Sequence, residues 1–331
     1  MPLRAAGLRF PHKRVLLART KLAYIHLRNL LTDAKRDRSA RVFAYAVIWL
    51  PDELLVLYLQ EGELVNAIAL NDQGYRVIAI AGALDHVPSA AEFGEICFHE
   101  ADDEQLACMH FSQATEPEPW PTELDTADPT ALFRYLRAIT FDGMLEVIRD
   151  EAVSYAIVKD GVIERAYMSE PGVGAPADRI KRLMSREDAE SDAPVRVSRW
   201  TVPPPLPVQA SPALIQAYRG VATKLVARLT AAGNPDAAKI AEAARYTLLS
   251  EHVCLQQFSA LDPPQTDPVV GIDALTEAMA DWISEVIWSA AHTGTATAED
   301  LLRDATLERR HMLQSAGFYN RLPWDLSLIH I

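Results

Sequence analysis

Cysteine is scarce in this chain: Cys97, Cys108 and Cys254 are the only three in 331 residues. Three cysteines build no dense disulfide framework, and reduced thiols in a cytoplasmic protein are the simplest reading. Long apolar runs are missing too. No stretch reaches the roughly 18 uncharged apolar residues that a membrane helix needs. The start has no compact apolar segment followed by a small-residue cleavage site, so export is not expected. Several catalytic signatures are absent. There is no G-x-x-x-x-G-K-[ST] to cradle a phosphate, no H-E-x-x-H to hold zinc beside a base, and no G-x-S-x-G elbow. Gly172-x-Gly174 is a lone pair, without the strand-to-helix setting of a dinucleotide fingerprint.

What is present is a globular composition, 49% hydrophobic and 23% charged, in a length that suggests two or three domains. The net charge of −13 is uneven. Residues 1–41 carry 11 Lys/Arg against 2 Asp/Glu, so the rest carries 21 against 43. An acidic body does not attract nucleic acid. The basic head, from Arg4 through Lys13-Arg14, Arg19 and Lys21 to Lys35-Arg36 and Arg38, has three readings. It docks on the acidic body, it meets a polyanion or membrane surface with Leu16, Leu17, Leu22 and Ile25 as its apolar side, or it is a poorly ordered extension.

A small module occurs twice. Leu54–Gln60 and Glu63–Leu70 flank Glu61-Gly62, while Ser154–Lys159 and Val162–Met168 flank Asp160-Gly161. Apolar alternation on both sides of an acid-Gly pair marks a hairpin, and the two glycines lie 99 positions apart. The surrounding order, helix, strand, hairpin, helix, strand, also repeats. In the first copy the pattern predicts a helix over 15–35, strands at Arg41–Leu50 and Tyr75–Ala81, a short helix opening at Pro88 with Ser89 as cap and Glu92 completing a capping box, and a strand at Leu106–Phe111. The second predicts a helix at Ala131–Ala138, a strand at Gly143–Arg149, a helix at Pro176–Met184 and a strand at Val195–Thr201.

The expected fold class is α+β: two related sheet-and-helix modules, residues 15–112 and 131–201, followed by an all-helical bundle over 213–325. Residues 113–130, with Pro117, Pro119 and Pro121 around Trp120, read as a linker, and Trp120 either pins it to a domain or anchors a protein contact. The proline-rich stretch Val202–Pro212 reads as a semi-rigid spacer that keeps its neighbours apart. The bundle rests on stripes through Leu214, Tyr218, Val221, Leu225 and Leu229, through Ile240, Ala244 and Leu248, and through Ile272, Leu275, Met279, Trp282, Val286 and Ile287, with a fourth helix over Ala298–Ser315 and a connection around Asp262–Val270. Tyr319 and Trp324 are candidate exposed aromatics. Leu326–Ile331 is the translation expected of a common sequencing adapter and is kept out of the fold, leaving open where the natural chain runs beyond Asp325.

Two clusters invite a metal reading. Cys97-x-His99 and Cys108-x-His110, on two paired strands, would gather two thiolates and two imidazoles for tetrahedral zinc. The plainer alternative is buried cysteine beside partly exposed histidine, because two ligands on one straight strand splay about 6–7 Å apart. Glu308-x-x-His311 is half of a carboxylate di-iron pattern and reads more simply as a solvated helix face. Cys254, between Val253 and Leu255, reads as core. No catalytic, cofactor or metal residue is assigned.

The paired segments resemble the PATAN-like domain family of bacterial signalling proteins. Leu22–Leu31 followed by Leu55–Ile68 carries the likeness in the first copy, and Leu132–Val147 followed by Tyr155–Tyr167 in the second, over about residues 20–200. Gly143-x-Leu145, Asp160-Gly161 and Ala166 fit the family pattern. The first copy keeps Glu61-Gly62 and Ala67 but has Ala40-Arg41-Val42 where Gly-x-Leu is expected. The resemblance implies a non-enzymatic adaptor or sensory module and transfers no catalytic residue. The expectation is protein–protein interaction in a bacterial cytoplasmic assembly, with a partner that has a basic surface and no cofactor. The alternatives are an enzyme with a diffuse site between the modules, and nucleic-acid or anionic-surface binding through residues 1–41.

Overall fold

A computed structural model describes residues 7–36, 42–90, 92–170, 172–185, 194–259, 266–290 and 297–324. Arg4, Arg38, Ala40, Arg41, the first residues of the Asp262 connection and the 326–331 tail lie outside them. The protein is mixed α+β, with two antiparallel sheets and a helical C-terminal region. Contacts divide the chain into two compact units. One is built from residues up to Ile78 and from Asp85 to Pro207, the other from Ala79–Leu84 and from Val208 onward.

The first unit holds both sheets. In chain order the elements to residue 114 are β1 (Arg14–Lys21), α1 (Leu27–Arg36), β2 (Ala44–Trp49), β3 (Leu54–Gln60), β4 (Glu63–Asn71), β5 (Gly74–Ile78), α2 (Ile80–Ala90, whose residues up to Leu84 count with the second unit), β6 (Glu95–Glu100) and α3 (Asp103–Ala114). There follow α4 (Pro129–Ala138), β7 (Gly143–Arg149), β8 (Ala152–Lys159), β9 (Val162–Tyr167), α5 (Pro176–Met184) and β10 (Arg196–Trp200). The sheet orders are β1-β6-β2-β3-β4-β5 and β10-β7-β8-β9. The inner four strands β6-β2-β3-β4 therefore have the topology of β10-β7-β8-β9. The first copy adds β1 on one edge and β5 on the other.

The repeat holds at single-residue register. The β3–β4 ladder slips between Tyr58 and Leu59, where Asn66 and Leu64 are the partners. The β8–β9 ladder slips between Ile157 and Val158, where Arg165 and Ile163 are the partners. All four positions are offset by the same 99 residues as the glycines. Glu61 and Gly62 have φ of 50° and 79°, and Asp160 and Gly161 of 49° and 72°, the two left-handed residues of a type I′ turn. The same register places Ala44, opposite Leu59, where Gly143 stands opposite Val158. The first copy's counterpart of Gly143-x-Leu145 is thus Ala44-x-Ala46 and not residues 40–42.

Three expectations are corrected. Residues 14–21 form an edge strand on β6, a 3-10 turn follows at Leu22–Tyr24, and the α-helix begins only at Leu27, where His26 Nδ1 accepts from Asn29 N at 3.3 Å. Residues 106–111 lie inside α3. That helix is buried on most of its circumference, so its apolar run shows no 3.6-residue period, while Asp103 and Glu104 occupy the first turn that a helix dipole favours. Pro88 and Ser89 lie in the last turn of α2 and do not open a helix, and α2 replaces the end of the strand expected to reach Ala81.

The two sheets share one core. Tyr45, Val47, Val56, Tyr58 and Ile68 from the first cluster with Met144, Ile148, Tyr155 and Trp200 from the second, together with Leu106, Cys108 and Met109 of α3. Leu8 and Phe10 join them, and Arg9 bonds through its backbone to Glu151 O at 2.9 Å and Val153 N at 2.8 Å. The opposite face of the second sheet packs Leu145, Val147 and Val158 on Leu132 and Leu136 of α4 and Ile180 and Met184 of α5.

Both proline-rich stretches are docked. Trp120 Nε1 donates to Val197 O at 2.9 Å under the Arg199 guanidinium, as a pinned linker requires. Pro203–Pro207 does not hang free as the spacer reading expects. Leu206 is buried in the shared core, and Asn66 Nδ2 donates to Pro207 O at 2.9 Å. A leucine amid prolines still gains about 2 kcal/mol by leaving water.

The second unit is helical: α6 (Pro212–Ala231), α7 (Ala237–Leu248), α8 (Ile272–Ala290), α9 (Ala298–Thr306) and, after a 3-10 turn, α10 (Arg310–Ser315). The expected α6 stripe is buried from Leu214 to Leu229, and Trp282 Nε1 donates to Ala241 O at 2.8 Å. The expected fourth helix is broken at Leu307–Arg309. Tyr319 and Trp324 are partly buried. Tyr319 packs on Phe318, and Trp324 meets Trp288 edge-on at 5.8 Å.

Candidate functional site

The first unit contains a cleft of about 270 Å³ that opens where residues 8–12 cross the ends of β2 and β6. The crossing has a local cause. Leu8 and Phe10 alternate into the core, and Pro11 after them is buried as well. Tyr45 on β2 fixes the crossing, because its hydroxyl lies 2.8 Å from Pro11 O, 3.3 Å from Phe10 O and 2.9 Å from His99 Nδ1. A carbonyl only accepts, so the hydroxyl donates to Pro11 O. The His99 contact then requires Nδ1–H to donate to the Tyr45 oxygen, which leaves Nε2 bare. Gln105 of α3 donates to the same Pro11 carbonyl.

His12 lies over His99 with ring centroids 4.5 Å apart and planes tilted by 32°. Burial, helped by the neighbouring His12, lowers the His99 pKa to about 4. His99 is therefore a neutral imidazole at pH 7. Cys97, two residues away on the same face of β6, is pushed up to about 11 by burial and stays a thiol. Arg19 on β1 stacks on Trp49 with its guanidinium carbon 4.1 Å from the ring centroid, and pairs with Glu95. Arg9 pairs with Glu170 at 3.4 Å. A second cleft shares His12 and Ser169 with the first and adds Lys13, Asp102, Tyr167 and Arg179, so residues of both modules meet there.

The Cys/His quartet does not come together as a ligand set. Cys97 and His99 share a strand face, but Cys108 and His110 sit two apart on a helix, which turns them about 200° from one another. Burial raises the Cys108 pKa to about 12 and lowers that of His110 to about 4. No group of three or more His, Cys, Asp or Glu among the described residues is placed to hold a metal ion. Glu308 lies on a 3-10 turn, where Lys224 pairs with it at 2.6 Å and lowers its pKa, and His311 is exposed. Cys254 is half-buried at the margin of the helical unit's core.

The basic head is engaged with the body. Lys13 pairs with Asp102, Arg14 with Glu100, Arg19 with Glu95 and Lys35 with Glu63, at 2.5–3.2 Å. Each such exposed pair contributes about 0–1 kcal/mol. Beside the exposed Arg14, Arg19 and Lys21, β1 shows two apolar side chains to solvent: Val15 and Leu16 are 46% and 37% exposed at the edge of the six-stranded sheet.

A polar layer lies inside the shared core. Glu146 of β7, on the face of Met144 and Ile148, accepts hydrogen bonds from Ser112 and Tyr155, and Tyr58 donates to Gln113 Oε1 at 2.7 Å. Desolvation nevertheless raises the Glu146 pKa. The sequence reading missed Leu8, Phe10, His12, Tyr45 and Glu146. The alternation of Leu8 and Phe10 before Pro11 was the available signal for the first pair. The others are fixed by tertiary neighbours. Comparison with family models, with characterised proteins and with solved structures gives no match.

Proposed function

We propose that this chain is a non-enzymatic protein-binding module, an adaptor in a bacterial cytoplasmic signalling or regulatory assembly, built from two tandem PATAN-like copies. The observation that carries the reading is β1. It is an edge strand with exposed apolar side chains, and its arginines are already matched by Glu95 and Glu100. An edge strand presents unpaired backbone groups that a partner strand satisfies. The net charge of −13 steers a partner with a basic surface toward the body, and β1 supplies the contact.

The titrating groups of the cleft point the same way. A general acid or base works best with a pKa near the operating pH. His99 at about 4 and Cys97 at about 11 are both far from that range. Among the described residues, no helix is long and apolar enough to cross a membrane. The test is co-purification from native lysate at about 0.15 M salt, where surface charge is largely screened. A partner retained by the native chain and lost from a folded Val15→Asp/Leu16→Asp variant supports the reading. Repeated recovery of the chain alone, or a partner held equally by the variant, contradicts it.

A further inference from the structure

We propose that the cleft beneath Arg9 and His12 binds a small organic anion, a carboxylate carried on an apolar or aromatic body. Its walls are Leu8, Phe10, Val47 and Trp49, of which the first three are buried core side chains. Its polar groups are Arg9, His12, Arg19, His99 and the Tyr45 hydroxyl, with Ser169 at the rim. In a chain with more acid than base, no Asp or Glu is among the residues lining it. The acids that pair with its arginines, Glu95 and Glu170, stand outside the lining. The cleft thus offers fixed cationic and hydrogen-bonding groups beside a dry apolar wall.

That division selects the ligand. A free phosphate makes no use of the apolar wall, and an uncharged hydrocarbon makes no use of the guanidinium, imidazole and hydroxyl groups. Small-molecule sites pair an apolar lining with a few placed polar groups in this way. The volume of about 270 Å³ falls just below the range for drug-sized ligands, which limits the occupant to a small molecule. The groups are held in place before any ligand arrives. Arg19 is stacked on Trp49, and His99 is fixed by Tyr45. Preorganisation of this kind lowers the ordering cost of binding. The inference is independent of the β1 docking edge, although Arg19 belongs to both.

The test uses the full chain with phenylacetate as the anion on an aromatic body. The comparators are 2-phenylethanol (body without charge), acetate (charge without body) and inorganic phosphate. Imidazole resonances of His12 and His99 are followed by NMR, and affinities by calorimetry. The expected result is that phenylacetate shifts both imidazoles and binds at least about tenfold more tightly than each comparator, a gap of about 1.4 kcal/mol. Arg19→Gln and His12→Gln, each confirmed as folded by circular dichroism, should each weaken it by at least about fivefold, while Lys35→Gln, away from the cleft, leaves it unchanged. Should the Arg19→Gln chain fail to fold, Arg19→Lys serves instead, with the same loss expected because lysine lacks the planar fork. Imidazoles undisturbed by phenylacetate at about 10 mM, where binding stronger than about −2.7 kcal/mol would show, overturn the proposal. So does tighter binding of phosphate, or affinity indifferent to the Arg19 and His12 changes.

Discussion

Gly62 and Gly161 occupy the same place in two copies of one module. Gly62 N donates to Val42 O at 2.9 Å and Gly161 N to Phe141 O at 3.0 Å, and both acceptors are again 99 residues apart. Each glycine also lies against the last turn of the preceding helix. A Cβ would fall 2.3 Å from Ala34 O at Gly62 and 2.5 Å from Leu136 O at Gly161. The repeat is thus a repeat of packing as well as of turn type, and glycine is demanded twice at each position, by positive φ and by the approaching helix.

Gly62→Ala and Gly161→Ala should therefore destabilise the first unit by about 2–4 kcal/mol each, beyond the ordinary cost of alanine in a left-handed turn. Urea unfolding measures this. A loss below about 0.5 kcal/mol, the scale of an unremarkable surface change, would mean the helices do not press on the turns.

Leu206→Ala should cost about 2–4 kcal/mol, as for a buried leucine, although it sits in a run of prolines. A free spacer would tolerate the change with no shift in the denaturation midpoint.

Stability should depend on pH through two groups of opposite sense. His110 takes up a proton near its ordinary 6.5 when unfolded but only near 4 when folded. The unfolded state then binds more protons, so stability falls as pH drops through that window, by on the order of 3 kcal/mol. His110→Gln should flatten the slope of melting temperature against pH between those limits, and an unchanged slope would contradict the assignment.

Glu146 has the reverse sign. Its raised pKa means that its stabilising share is present below the ordinary carboxylate value and is lost as pH rises through the folded value. Glu146→Gln should raise the melting temperature at pH 7, with the gain shrinking toward pH 4. A variant that melts lower than the native chain at pH 7 would show that the ionised carboxylate is needed.

Much of the fold was legible because hairpin and amphipathic periods are local. The limits of β3, β7 and α5 coincide with the apolar alternation and capping prolines that mark them, and the stripe from Leu214 to Leu229 is buried as its spacing requires. The failures share one cause, which is tertiary surroundings overriding a local pattern. The helix α3 is buried nearly all round and so lost its period, and β1 is a strand because β6 offers it an edge. The cleft was not legible at all, since His12, Tyr45 and His99 are brought together from three separate segments. The zinc reading of the Cys/His quartet, the less plain of its two readings, required residues 106–111 to be a strand, and they lie in α3.

The central claim is that β1 is a docking edge, and a photo-crosslinking residue at Leu16 in the native host tests it most directly. The control is the same residue at Val162, which is also exposed but lies on the edge strand of the other sheet. The account predicts a discrete cross-linked partner from position 16 and none from 162. No adduct from position 16, or the same adducts from both, would contradict it.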